Sequence, residues 1–401
     1  MRLLVSNCHT RMGYTVACSL ARHGHEIVAM ATRTPTMARG VKGVIAEAAY
    51  PDPFIHEKEF VDVLADTVRR YAIDAVLPVH EEIFVVTRHR QRFAPALVIA
   101  PEFTDLMRAQ DKYQIFELAR SLGVCTPETF LLTSSLSPRQ AATALGYPMI
   151  IKPRFGSGAS GVMVIGAEAE LPRAETLMHP ANFGRLIAQQ WVSGHGAGVG
   201  ALMWAGRLIA ASGHKRLREI PIGGGTSTAR VTYESRALLD VAERMLVASG
   251  LQGVAMVEFR VDDVTGRHWL LEINPRYWGG LPTGIASGVD FPVLHIACAS
   301  GQVAQALQQP IRIVEGRWLL GEIRAFAENV RAGRFAQAFG AFRVSPGARL
   351  IIDDIGQDGV YAFFHQLCAY LSNLRRYKNS GGHSDSKNEF FERYSSLGKQ
   401  P

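Results

Sequence analysis

Cysteine is scarce in this chain: five in 401 residues (Cys8, Cys18, Cys125, Cys298, Cys368), scattered, odd in number and without a CxxC pair. That excludes a disulfide framework and a thiolate zinc site and fits a reducing compartment. Cys8 and Cys298 sit in apolar runs and read as core thiols. No stretch approaches the roughly 18 uncharged apolar residues that span a bilayer. The N-terminal run MRLLVSNCHT is too short for a signal peptide, so a cytoplasmic chain without a membrane partner is expected. The first strand-to-helix loop, Asn7–Gly13 (NCHTRMG), is not the GxGxxG of a dinucleotide site, and the GxxxxGK(S/T) of a P-loop is missing. No Ser/His/Asp or Cys/His arrangement for nucleophilic catalysis is evident either. What remains is an ordinary globular composition, 47% hydrophobic and 20% charged, with 38 glycines and a net charge of +7. It excludes disorder, collagen and coiled coil, and its charge suits phosphates, acidic small molecules or nucleic acid.

The first hundred residues alternate short apolar runs with helical spacing. Arg2–Cys8, Glu26–Ala31 and Asp74–Pro78 read as strands, Gly13–Arg22 and Phe60–Arg70 as helices. Such alternation implies a parallel, doubly wound sheet. A helix is expected from about Lys112 to Leu122, with Asp111 as N-cap, Gln114 in the capping-box position and Gly123 past its end. Lys112 then occupies a first turn that disfavours a cation; it is either solvated or aimed at a bound anion. Ser235–Ser249 reads as another helix, ended by Gly250. Beyond Gln302 the pattern becomes amphipathic helix, and Asn379–Pro401 reads as a loose polar tail.

Between two apolar strands lies the loop Arg154-Phe155-Gly156-Ser157-Gly158-Ala159-Ser160-Gly161, with Lys152 at the end of the first strand. Three glycines in six positions let the backbone turn successive N–H groups toward polyphosphate oxygens, or serve hairpin geometry alone. A lysine inside a hydrophobic run favours the first reading, because a buried cation needs an anionic partner.

The segment VAMVEFRVDDVTGRHWLLEINPRYWGG reads as two strands, Val254–Val261 and His268–Asn274, around a turn. A hairpin symmetric about Thr265 sets Glu258 opposite Glu272, with Met256, Leu270 and Asn274 on the same face and Val257, Phe259, Val261, Trp269, Leu271 and Ile273 on the other. Like charges directly across a strand pair are destabilising. A divalent cation offsets that, and Mg²⁺ takes one or two carboxylates plus substrate phosphates. The alternative is a solvated face with incidental acids. Asn274 and Arg276 continue the alternation from Glu272, and that clustering favours a site.

Together these parts resemble the ATP-grasp superfamily of carboxylate–amine ligases over roughly residues 1–300. The resemblance implies a mixed α/β and α+β chain. A doubly wound pre-ATP-grasp domain (1–108) is followed by a grasp fold with an N-terminal lobe (109–192) and a C-terminal lobe (193–302), then a helical extension with a polar tail (303–401). It implies that Lys112 and Lys152 contact ATP phosphates, and that Gly156, Ser157, Gly158, Ser160 and Gly161 close over them. Gln190, Trp191 and Val192 would form the adenine hinge. Glu258, Glu272 and Asn274 would hold two Mg²⁺, with Mn²⁺ as a substitute, and Arg276 would lie near the transferred phosphoryl. Many members carry a glutamate after the hinge for the ribose; here that stretch is GHGAGVG, and the role has no assigned residue.

Between hinge and hairpin runs the basic segment His214–Glu219, followed by Gly223–Arg230. It resembles the HxRxRE…GGxST pattern of the carboligase-like branch. Without interleaved aromatics it gives no support for stacking on bases, so no nucleic-acid partner is expected. Arg218 and Arg230 are the candidates for the γ-phosphate and an acylphosphate or carboxylate, through bidentate contacts. The implied activity is an ADP-forming C–N ligase that activates a small carboxylate as an acylphosphate and joins it to an amine. The rivals are phosphorylation of bicarbonate or a hydroxyl on the same fold, and a nucleotide-binding regulatory protein without turnover. The helix around Tyr361–Leu374 would cap the grasp domain or form a homo-oligomer interface.

Overall fold

Short apolar runs buried on both faces, separated by helices with one apolar stripe, dictate a covered parallel sheet at the N-terminus. The computed structural model describes residues 1–156, 158, 161–220, 224–303, 306–355, 360–376, 387, 389–391, 393 and 394. In it, β1 (Arg2–Val5), β2 (Glu26–Ala31), β3 (Val44–Ala49), β4 (Ala75–Leu77) and β5 (Leu97–Val98) form one sheet in the order β3-β2-β1-β4-β5. Every pairing in it is parallel. Helix Arg11–Arg22 follows β1 and is capped by Thr10, whose side chain accepts from the Gly13 N–H. Helix Glu57–Arg70 buries Phe60, Val61, Leu64, Ala65 and Val68, the stripe read from the sequence. β3 was not legible there: it is only half-buried, and VIAEAA carries no alternation.

A second sheet is small and antiparallel. β6 (Thr129–Leu131), β7 (Met149–Pro153), β8 (Met163–Ile165) and β9 (Leu186–Gln190) run in the order β6-β9-β7-β8. It has its own core, in which Met149, Ile151, Ile165 and Ala188 pack against Leu132, Ala141 and Ala142.

The third sheet has seven strands: β10 (His195–Trp204), β11 (Arg207–Ile220), β12 (Thr226–Thr232), β13 (Gly253–Val261), β14 (His268–Asn274), β15 (Val314–Arg317) and β16 (Arg349–Ile352). Their order is β14-β13-β10-β11-β12-β15-β16. One face packs Ala197, Val199, Ala201, Val257 and Phe259 against Leu238, Leu239, Ala242, Met245 and Leu246 of helix Arg236–Ser249, in a core continuous with that of the N-terminal sheet. The other face looks toward the small sheet across a cleft.

The C-terminal region departs from the sequence reading twice. It is not only helical: β15 pairs antiparallel with β12 through Ala229↔Arg317 and Val231↔Glu315, and β16 adds to β15 in parallel. The four-residue strands VEGR and RLII are too short and too polar for a period to show. Nor is the tail loose throughout, because Phe390 and Phe391 are buried in the main core. Their polar neighbours hide them from a composition argument. No single helix among the described residues is long and apolar enough to cross a membrane.

Candidate active site

The hairpin arithmetic holds at its acidic centre. Met256 pairs with Asn274, Val257 with Ile273 and Glu258 with Glu272. Beyond Glu258 a bulge shifts the register by one, so that Phe259 faces Leu270 rather than Leu271. A one-residue slip exchanges the faces. Leu270 therefore enters the core, and Leu271, assigned to the core face from the sequence, lines the cleft instead.

The cleft has a volume of about 810 Å³. On its acidic wall the Asn274 Nδ2 donates to Glu258 Oε1 (3.3 Å) and Glu272 Oε1 (3.1 Å), while Asn274 Oδ1 accepts from Arg276 Nη2 (3.0 Å). Arg216 Nη2 donates to Glu258 Oε2 at 2.5 Å, and Lys112 Nζ lies 3.4 Å from Glu272 Oε2. Burial raises the Glu258 pKa, aided by Glu272 and opposed by Arg216. Burial also acts to raise that of Glu272, but Lys112 and Lys152 outweigh it and the net shift is downward. The two facing carboxylates are thus pushed apart in acidity, as like charges in one site are. Two carboxylates and an amide are hard oxygen donors of the kind Mg²⁺ takes when phosphates complete its shell. The residues present fit such an ion.

Two lysines join them, Lys152 from the small sheet and Lys112 from a helix. Lys152, on β7, is buried with its Nζ 5.6 Å from the Phe116 ring centroid. Burial lowers its pKa to about 8, against the opposing pull of Glu272. Lys112 begins helix Lys112–Ser121 and is buried, so the solvated alternative does not apply. Its Nζ donates to the Gly156 carbonyl at 2.6 Å. Asp111 caps that helix and grips Arg154 with both oxygens, Nε–Oδ1 2.6 Å and Nη2–Oδ2 2.5 Å. The base of the glycine loop is thereby fixed to the start of the helix. Gly156, Gly158 and Gly161 all have positive φ (114°, 67° and 71°), the conformation glycine allows cheaply. Ser157 and Ser160 lie outside the described residues. Gln190, Trp191 and Val192 follow at the mouth of the cleft and line it with Gln189.

The candidate arginines separate. Arg276 lines the cleft, with Nη1 on the Tyr277 carbonyl (2.9 Å) and a buried Nε that has no partner among the described residues. Arg230 also lines it but is held in a buried ion pair, Nη2 lying 2.6 Å from each oxygen of Asp353, which Arg11 Nη1 shares at 2.8 Å. Arg218 is not brought into the cleft; it turns to Glu322 of helix Leu319–Arg331. A register shift between Arg216 and Arg218 in the β11–β12 pairing gives the cleft position to Arg216.

Sequence reasoning missed Arg216, His214, His80 and Arg11, all of which line the cleft. A signal was available in GHGAGVG. On β10, Gly196, Gly198 and Gly200 alternate with the core-facing Ala197, Val199 and Ala201. A Cβ at Gly198 would come 2.6 Å from His214 Cε1, and one at Gly200 2.0 Å from Trp278 Cζ2. The bare strand is a floor across which side chains lie flat. His214, buried there beside Arg216 and Arg230, has its pKa lowered to about 3, first by burial and then by those cations, and is neutral.

A family model described as "ATP-grasp in the biosynthetic pathway with Ter operon" matches residues 182–320. Among curated proteins, a D-alanine--D-alanine ligase of Stutzerimonas stutzeri (strain A1501) is 29% identical over 186 residues, 41% of this chain and 55% of that protein. A second, from Pseudomonas putida (strain GB-1), is 25% identical over 224 residues, 49% of this chain and 65% of the other. The chain thus spans between about half and two thirds of these relatives. Among solved structures, an L-amino acid ligase from Bacillus licheniformis superposes with a TM-score of 0.60 at 18% identity, over 78% of each chain. N5-carboxyaminoimidazole synthetase from Staphylococcus aureus, complexed with ADP, gives 0.64 at 16% identity, over 82% of this chain and 84% of that one. With an acidic hairpin, a lysine-bearing strand and a glycine loop around one cleft, the chain is similar to ATP-grasp proteins in sequence over residues 182–320 and in fold over most of its length.

Proposed function

We propose that the chain is an ATP-dependent, ADP-forming ligase that joins a small carboxylate to an amine. The observation that carries this reading is the gathering, in one cleft, of the Glu258–Glu272–Asn274 set and the buried lysines Lys112 and Lys152. Two acids with two cations and a glycine-rich loop suit a polyphosphate with its counter-ion. They do not suit hydride transfer or a covalent side-chain nucleophile. The names of the curated relatives point the same way, toward carboxylate–amine joining.

In the proposed reaction a carboxylate oxygen of the first substrate attacks the γ-phosphorus of ATP. The bond from that phosphorus to the β–γ bridging oxygen breaks, and ADP leaves. The amine nitrogen of the second substrate then attacks the acyl carbon, loses a proton, and expels inorganic phosphate from the tetrahedral intermediate. Such chemistry depends on positioning and on neutralising charge as it develops. Lys112 and Lys152 would hold the β- and γ-phosphates, with Gly156, Ser157, Gly158, Ser160 and Gly161 closing over them. Gln190, Trp191 and Val192 would carry the adenine. Glu258, Glu272 and Asn274 would hold Mg²⁺, two ions in the fullest form, which would supply positive charge against the charge developing on the phosphates. Arg276 would meet the transferred phosphoryl, with Arg216 in the place given to Arg218 from the sequence. Arg230 would act beside them from its anchored position.

A screen of amino acids and small acids with ATP and Mg²⁺, read by mass spectrometry of coupled products together with ADP release, tests the reading. ADP formed only when a carboxylate and an amine are both present is expected. ADP formed with bicarbonate or an alcohol alone would select the phosphotransfer alternative, and binding without ADP release under every panel would select a regulatory protein.

A further inference from the structure

The described residues between 387 and 394 lie on a short helical segment far along the chain from the cleft-forming strands, yet they dock beside the cleft. Phe391 has no exposed surface. Its ring stacks on Phe155, with centroids 5.6 Å apart and planes 5° from parallel, and meets Phe84 edge-on at 4.8 Å. Phe390 lies edge-on to Phe54 at 5.4 Å. Tyr394 packs on Phe103 at 5.6 Å and receives the Arg88 guanidinium at 4.2 Å. At the start of the segment, Lys387 forms an ion pair with Glu81.

Two of these contacts reach the cleft. Phe155 lines it and immediately precedes Gly156, whose carbonyl accepts from Lys112 Nζ. The corner from which the glycine loop departs is therefore gripped on one side by Arg154 and Asp111 and on the other by the Phe391 ring. At the other contact, Glu81 would be made a weaker acid by burial, yet His80, Lys387 and Arg276 together hold it well below the usual carboxylate range. His80 and Arg276 are themselves cleft residues. A solvated tail would carry its aromatics at the surface, whereas these rings fill the joint between the N-terminal sheet and the small sheet.

We infer that the described residues between 387 and 394 are a positioning element of the cleft, in which Phe391 fixes the Phe155–Gly156 corner and so sets the glycine loop for phosphate. The inference rests on the reading of that loop as the phosphate cover. Lys387, through Glu81, steadies the opposite end of the cleft. None of these residues touches the reacting atoms.

The test uses the full chain with Phe391→Leu, Phe391→Ala and Phe155→Leu, alone and combined. ATP affinity with Mg²⁺ is read by calorimetry, thermal stability by unfolding, and loop order by hydrogen exchange of the peptide covering 154–161. Phe391→Leu keeps apolar volume and loses the stack. It is expected to weaken ATP roughly three- to tenfold, the range an aromatic pair supports, and to speed exchange in the loop. The double variant Phe155→Leu/Phe391→Leu should be no worse than either single one, because both break the same pair. A lowered midpoint with unchanged ATP affinity and unchanged loop exchange would overturn the inference, as would strictly additive losses. If Phe391→Ala does not fold, Phe391→Leu decides. If the unaltered chain binds no ATP, the phosphate reading fails by itself, and hydrogen exchange alone then decides whether Phe391 orders the loop.

Discussion

Two charge clusters share the cleft and are built on opposite plans. Around Asp353 two cations share one anion: a buried carboxylate holds Arg230 with both oxygens and Arg11 with one. Around Glu272 the charges are crowded. Two carboxylates face each other across a strand pair, Lys112 and Arg216 each lean on one of them, and buried Lys152 lines the same cleft. The first arrangement is ion-paired within the protein and ties three separate parts of the chain together. The second leaves Lys152 with a lowered pKa and Glu258 with a raised one, the signature of groups arranged for a ligand rather than for each other.

The largest expected effect belongs to the Asp353 cluster. Asp353→Ala leaves two arginines buried beside one another and is expected to cost about 3–5 kcal/mol of stability, read by denaturant unfolding. Equal stability to the unaltered protein would mean that the knot is solvated. The crowded cluster should respond in the opposite sense. Lys152→Met removes a desolvated charge and is expected to leave stability unchanged or raised, while ATP affinity falls roughly 10- to 100-fold by calorimetry, the value of a charged hydrogen bond. Glu272→Gln with Asn274→Ala should likewise remove Mg²⁺-dependent nucleotide turnover without unfolding the chain.

A pH titration sharpens the contrast further. The unfolded chain holds the Lys152 proton up to about 10.5, the ordinary value for lysine, the folded chain only to about 8. Between those values the unfolded state binds more protons, so this residue's contribution to stability rises with pH across that window. ATP affinity runs the other way. Phosphate favours the charged lysine, so binding takes up a proton above pH 8 and log K falls with a slope approaching −1. Lys152→Met should abolish both trends. The smallest effect is expected at Arg218→Ala, which loses the Glu322 pair outside the cleft. About 1 kcal/mol of stability should go, with ATP affinity unchanged.

How much was legible follows from which interactions are local. Glu258 and Glu272 were paired correctly because a tight hairpin fixes register from its turn, and the prediction failed one residue later, at a bulge that no period announces. Lys152 and the glycine loop stood out because a cation in an apolar strand is anomalous. Arg216 was passed over for Arg218 because their alternation on β11 depends on another irregularity. Arg11, Asp353 and Phe391 carry no local signal at all. Their roles exist only once distant segments meet, as the pairs Arg11–Asp353 and Phe155–Phe391 do.

The most direct measurement follows the oxygen. With a substrate pair in hand, the carboxylate is labelled with heavy oxygen and turned over with ATP and Mg²⁺, and the released phosphate is examined by mass spectrometry. One labelled oxygen in inorganic phosphate, with ADP as the nucleotide product, is the expected result. Unlabelled phosphate, or label appearing in AMP, would contradict acylphosphate chemistry in this cleft.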